Sequence, residues 1–121
     1  MKLLNLVPAY LLALIFLVFG SNYFLHFIAT PPMEGNAGAY LGLLFSTNFL
    51  LVVKIFEISF ALLILVPKTR ALALLLIAPI ALNIFLFEVI IAHQASIGIL
   101  LVLLNAIAIF QNRAKYVGII A

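Results

Sequence analysis

The feature that most constrains this chain is its division into four long apolar stretches, which are joined by short polar connections. Hydrophobic residues make up 69% of its 121 residues and charged residues only 7%, whereas about a quarter of the residues of a soluble domain are charged. A helix needs about 20 apolar residues to cross a bilayer. The sequence therefore predicts an all-α protein, an integral membrane four-helix bundle that forms one domain over residues 1–121.

The connections between the stretches set the predicted boundaries, which place spans at about 6–28, 48–66, 71–92 and 96–112. Between the first two spans, two prolines are followed by an apolar run at 37–45 that is too short to cross, which predicts a short interfacial or re-entrant helix. Ser46, Thr47 and Asn48 are residues that cap helices, and they predict the start of the second span. A kink is expected at Pro79, in the middle of the third span.

Basic residues lie almost entirely on one side of this predicted topology. The connections after the first and third spans have no Lys or Arg, and five of the six basic residues are Lys2, Lys68, Arg70, Arg113 and Lys115. Short loops rich in Lys and Arg stay cytoplasmic, so both termini are expected inside. The apolar run after Lys2 is longer than that of a signal peptide, which predicts a retained span.

Composition also excludes several classes of function. The chain has no cysteine, which rules out disulfides, thiol catalysis and thiolate metal sites. Its net charge of +3 is small and divided among the loops, which indicates contact with the headgroups of the lipid bilayer. We predict no nucleic-acid partner.

The sixth basic residue, Lys54, lies inside a predicted span, three residues before Glu57. Residues at i and i+3 share a helix face, so the two side chains can pair. A charge inside the bilayer costs roughly 2.5–3.5 kcal/mol on insertion scales, and such residues usually mark a functional site. This pair favours a functional cavity over a purely structural contact.

Further polar residues are predicted at similar depths on all four spans. A rise of about 1.5 Å per residue places Glu57, Asn83 and Asn105 near the midplane, with Asn22 and Lys54 in a second layer above them. Asparagines also join membrane helices by hydrogen bonds, an alternative that stays open for the amides. The candidate ligand-binding residues are Asn22, His26, Lys54, Glu57, Asn83, Glu88 and Asn105.

Glu88 and His26 also have an alternative interpretation, as residues at the membrane interface. Glu88 is five residues from Asn83, about 140° around an α-helix, so the two are not expected to share a face; a surface role stays open for Glu88. A metal site made by His26, Glu57 and Glu88 has no supporting spacing motif, and no metal is predicted.

The order of several segments resembles the DoxX-like family of small bacterial membrane proteins, over about residues 10–112. These segments are FGSNYFLHF at 19–27, two prolines at 31–32, GAYLG at 38–42, IFEI at 55–58, the PKTR turn at 67–70, LIAP at 76–79 and NIFLF at 83–87. The resemblance implies a four-helix protein of the bacterial inner (plasma) membrane. It also implies a link to quinone-coupled sulfur oxidation or to membrane redox complexes.

Three positions depart from the pattern of that family. Relatives often have a basic residue where this chain has Tyr23 and a histidine where it has Glu88, and their residue at the position of Lys54 is usually uncharged. Our interpretation is that the positive charge facing Glu57 has moved from the first span to the second.

Three functions are compatible with these features. The first is an accessory subunit of a membrane oxidoreductase system, which binds a quinone or another lipophilic ligand in a pocket floored by Glu57, covered by 37–45 and open to the outer leaflet. It would have no covalent cofactor and would act with a membrane or periplasmic redox partner. The second is a small proton- or cation-coupled transporter acting as a dimer, that is, a homo-oligomer, although Lys54 would partly neutralise Glu57. The third is a non-catalytic scaffold.

Overall fold

The computed structural model describes residues 2–26, 33–94 and 97–120, and this part of the chain is helical almost throughout, with no strand. The prediction of an all-α protein is confirmed. The helices are α1 (Lys2–Leu25), α2 (Gly35–Ser46), α3 (Phe49–Leu65), α4 (Arg70–Leu86), a π-helical turn (Phe87–Ile91), α5 (Ile97–Gln111), a 3-10 turn (Arg113–Tyr116) and α6 (Val117–Ile120).

Two helical segments are long and apolar enough to cross a membrane, Leu6–Leu25 and Arg70–Ile91. A third candidate arises if α2 and α3, which meet at a bend of 82°, are counted as one broken span. The 15 residues of α5 extend about 22 Å, less than the hydrocarbon thickness of about 30 Å. Length and composition thus give two to three candidate spans. The predicted span ends at 28 and 96 lie outside the described residues.

Four helices form the bundle. α1 packs against α3 and α5, and α4 packs against the same two helices. Nearly half of the core is alanine, which lets helix backbones approach closely. The buried core residues are Ala9, Leu12, Ala13, Phe16, Ala61, Ile64, Ala73, Leu74, Ile77, Ala81, Leu101, Leu104 and Ala108.

Arg70, predicted as a loop cation, is instead buried at the first residue of α4. Its Nε donates to the carbonyl oxygen of Ile64 at 2.8 Å, and its Nη2 donates to that of Leu65 at 3.3 Å. Nη2 also donates to the hydroxyl of Tyr10 at 3.2 Å. A cation is favourable at a helix C-terminus, where carbonyls lack partners. Arg70 therefore fixes the turn between α3 and α4.

The junction of α2 and α3 differs from the predicted cap. The hydroxyls of Ser46 and Thr47 donate to the carbonyl oxygen of Leu43, at 3.3 Å and 2.7 Å, and so close the C-terminus of α2. Asn48 is the residue before α3; it has a φ of 63° and makes no side-chain cap hydrogen bond. The predicted capping of α3 by these side chains was wrong, because the hydroxyls bond back to the preceding turn.

Candidate ligand cavity

A cavity of about 560 Å³ lies at the end of the bundle next to α2. This volume is within the usual range for small-molecule sites, about 300–1,000 Å³. Its walls come from all five main helices and the π turn, and most of the side chains are apolar. The lining residues are Ile15, Phe16, Phe19, Tyr40, Leu41, Leu44, Phe49, Leu50, Val53, Lys54, Glu57, Pro79, Ile80, Asn83, Ile84, Phe87, Glu88, Ile97 and Leu101.

The charged centre of the cavity is the pair formed by Lys54 and Glu57. Both residues line the cavity, and Lys54 Nζ lies 3.3 Å from Glu57 Oε1. The Glu57 side chain is 3% exposed and that of Lys54 is 19% exposed. Because helical residues at i and i+3 are neighbours, α3 alone positions this pair. A lysine has three N–H donors, so Lys54 has donors beyond the one used by Glu57.

Asn83 reaches the cavity from α4 and contacts the helix that covers it. Its Nδ2 donates to the hydroxyl of Tyr40 at 3.3 Å, and the Tyr40 ring stacks on Phe87 with centroids 5.1 Å apart. Both Tyr40 and Phe87 line the cavity. Tyr40 was missed in the sequence analysis as a site residue, since only its position in the short run at 37–45 connected it to the site.

Glu88 also lines the cavity, together with Asn83. Residues on different faces of a helix can line one cavity, so the expectation that the two do not share a helix face stays a prediction. The chain widens into the π turn at Phe87–Ile91, which changes the angle between successive residues. Glu88 Oε1 accepts the backbone N–H of Gly98 at 2.8 Å, so this carboxylate also caps the start of α5.

The other predicted site residues lie outside this lining. Asn105 is buried and its Nδ2 donates to the carbonyl oxygen of Leu74 at 3.1 Å, which joins α5 to α4. Asn22 is partly buried near the end of α1, and its carbonyl oxygen accepts the backbone N–H of His26 at 2.8 Å. His26 is exposed beyond the end of α1, with a φ of 55°. The structure thus brings together Lys54, Glu57, Asn83 and Glu88.

No group of three or more His, Cys, Asp or Glu that could hold a metal ion occurs among residues 2–26, 33–94 and 97–120. In comparisons with known proteins, no family model, curated protein or solved structure matches this chain. Membership of the DoxX-like family stays a prediction. The function has to be inferred from the cavity and the surface of the bundle.

Proposed function

We propose that the protein is a four-helix integral membrane protein that binds a lipophilic ligand with a polar head in the cavity beside Lys54 and Glu57. The observation that carries this proposal is an apolar space of about 560 Å³ with an ion pair in its wall. Concave, mostly apolar pockets with a few polar groups are the usual form of small-molecule sites. A structural ion pair alone would not require the adjoining empty volume.

The outer surface of the bundle supports placement in a membrane. Large apolar side chains are more than half exposed on each of the four packed helices, as at Leu14, Leu62, Leu72 and Leu103. Soluble monomers rarely expose such extensive apolar surface. In this proposal α3 and α5 cross together with α1 and α4, and their short length is accommodated by local thinning of the bilayer.

The distribution of charge supports an orientation. Four basic residues lie near helix ends on the side of the bundle opposite to α2: Lys68, Arg70, Arg113 and Lys115. The carboxylates of Glu57 and Glu88 line the cavity on the α2 side. Because Lys/Arg-rich loops stay inside, the termini are cytoplasmic and the cavity belongs to the outer half of the bilayer. The resemblance to DoxX-like proteins favours the inner membrane of a bacterium.

Quinones fit the chemistry of this cavity. Lys54 and Tyr40 offer N–H and O–H donors to carbonyl oxygens, and five aromatic rings line the walls, those of Phe16, Phe19, Tyr40, Phe49 and Phe87. The role that follows is accessory: the protein would hold a quinone or lipid for a membrane or periplasmic oxidoreductase partner. The organic redox chemistry would belong to the ligand.

Cation-coupled transport is the second candidate, because two carboxylates, Glu57 and Glu88, line one cavity with a single lysine. Intramembrane carboxylates often mark ion pathways. The bond between Lys54 and Glu57, at 3.3 Å, favours a fixed pair over a mobile charge carrier. Ion flux into proteoliposomes that depends on Glu57 would make transport the better proposal.

The ligand proposal is tested by filling the cavity. Val53 lines it, whereas its neighbour Val52 is 49% exposed on the outer surface. We expect mass spectrometry to detect a bound lipophilic molecule in extracts of the wild-type protein and none in extracts of V53W, because the indole occupies the cavity. V52W is the matched control and should retain it. Wild-type protein that carries no bound lipophile, or equal occupancy in both variants, would refute the proposal.

A further inference from the structure

The end of the bundle opposite to α2 has exposed basic side chains that the cavity does not explain. We propose that this end holds one defined site for an anionic phospholipid, whose phosphate is bound by Arg113 and whose acyl chains lie against Phe110. The site rests on the membrane placement and orientation proposed above, and it is separate from the cavity and its ligand.

The charges of the chain are separated between the two ends of the bundle. The sequence has only three acidic residues, of which Glu57 and Glu88 line the cavity and Glu34 directly precedes α2. The exposed basic residues at the other end are Lys68, Arg113 and Lys115. No acidic side chain is therefore near enough to neutralise these cations. Basic residues at the cytoplasmic surface of a membrane attract anionic lipids.

A tertiary hydrogen bond joins the two basic segments. Tyr116 is 5% exposed, and its hydroxyl donates to the carbonyl oxygen of Ala71, in the first turn of α4, at 2.7 Å. The 3-10 turn that contains Arg113 and Lys115 is thereby fixed beside the start of α4. Lys68 lies three residues before Ala71, in the turn between α3 and α4. The three cations thus belong to one region of the surface.

The guanidinium of Arg113 is held in a fixed orientation. Its Nη1 donates to the carbonyl oxygen of Phe110 at 2.9 Å, and its Cζ lies 4.2 Å from the centroid of the Phe110 ring. A guanidinium has five N–H donors, and within the part of the chain that the structure describes no other acceptor contacts that of Arg113. Its planar fork matches two phosphate oxygens. Because the group is already oriented, less entropy is lost when a phosphate binds.

Exposed apolar side chains beside these cations favour a lipid over a soluble anion. Phe110, in the last turn of α5, is 63% exposed, and Val117, directly after the 3-10 turn, is 58% exposed. Acyl chains cover such side chains, whereas inorganic phosphate leaves them in contact with water. A zwitterionic headgroup would bring its own ammonium towards the cations, and like charges repel. The chemistry of the site therefore fits a phosphodiester headgroup with a net negative charge.

The experiment measures the affinity of the full-length, delipidated protein for its first bound lipid by native mass spectrometry in detergent. The probes are phosphatidylglycerol and phosphatidylethanolamine with the same acyl chains, and we expect phosphatidylglycerol to bind more tightly. Arg113→Gln should weaken its binding by about fivefold, the contribution of one basic residue at an anionic surface. Arg113→Lys keeps the charge without the planar fork and should give a smaller loss. Lys2→Gln is the matched control, since it removes the same charge at the other terminus, and it should leave the affinity unchanged.

Each contrary result has a distinct meaning. Equal losses in Lys2→Gln and Arg113→Gln would show that net charge alone attracts the lipid, and equal affinity for the two lipids would overturn the anionic headgroup. Displacement of phosphatidylglycerol by excess inorganic phosphate would assign the cations to a soluble anion. V53W, with its cavity filled, should bind phosphatidylglycerol as the wild type does. Loss of this binding in V53W would place the lipid in the cavity, which overturns the site near Arg113 while the proposed function stands.

Discussion

Replacing either Lys54 or Glu57 alone should destabilise the bundle, and replacing both residues together should restore much of the lost free energy of unfolding. At 3.3 Å and an effective dielectric constant of about 20, two unit charges attract by about 5 kcal/mol. Desolvation offsets much of this attraction, but removing one partner leaves the other charge buried, which costs about 3–5 kcal/mol. Lys54→Met should approach the upper value, because Glu57 is 3% exposed. Glu57→Gln should cost less, since Lys54 retains 19% exposure and can move its ammonium towards the cavity.

The assay is a double-mutant cycle on purified protein in detergent, with the free energy of unfolding from denaturant titration. In the double variant, Lys54→Met with Glu57→Gln, the loss in free energy of unfolding should be smaller than the sum of the two single losses by at least about 1 kcal/mol. This coupling lies within the range of roughly 0.5–3 kcal/mol found for residues in contact. Lys68→Met, at an exposed position, controls for the loss of a lysine elsewhere and should change stability by less than about 0.5 kcal/mol. Additive losses would show that the two charges do not interact, and the proposed ion pair in the cavity wall would be contradicted.

Three other outcomes follow from the structure. Gly98→Ala should destabilise the protein by about 1–3 kcal/mol in thermal melts, because an added Cβ would lie 2.7 Å from the backbone Cα of Phe85, which cannot move aside as a side chain can. Gly42→Ala has no such atom within 4 Å and should be neutral or stabilising. The Tyr116 hydroxyl donates to the carbonyl oxygen of Ala71 at 2.7 Å, and burial raises the pKa of Tyr116 above its ordinary value of 10.0. The stability that the neutral phenol contributes is therefore present below pH 10 and is lost as pH rises through the raised pKa. Tyr116→Phe should remove this loss of stability at alkaline pH, measured as the melting temperature against pH. A periplasm-active reporter fused to the C-terminus should be silent, and activity there would contradict the orientation.

Much of the helical plan could be predicted from sequence, because it depends on local properties. The length of the apolar stretches and the placement of prolines predict helices at these places, and a helix at Gly35–Ser46 occurs where the apolar run at 37–45 predicted one. The approach of Lys54 to Glu57 follows from the spacing of three residues alone. Four predicted site residues, Lys54, Glu57, Asn83 and Glu88, line one cavity.

The remaining features depend on tertiary contacts that no local pattern encodes. Arg70 has the sequence context of a loop cation, and in its buried position it bonds to a carbonyl oxygen at the end of α3 and to the hydroxyl of Tyr10 on α1. Glu88 lies in a π turn and accepts the backbone N–H of Gly98, two features that the sequence signals did not predict. Asn105 has the same predicted depth as Glu57 but bonds to the backbone of Leu74. Depth along a span does not determine the direction in which a side chain faces.

One end of this bundle is closely packed, whereas the other end contains the cavity. At the end with Arg70, alanines such as Ala9, Ala73 and Ala108 are fully buried, and the guanidinium closes the turn of α3. At the α2 end, large side chains surround a volume that no described residue fills. Empty volume reduces dispersion contacts and stability, so a chain selected for stability alone would be expected to close it. The packed end can hold the four helices together, and at the α2 end the proposed ligand would supply the dispersion contacts that the protein's own side chains do not make.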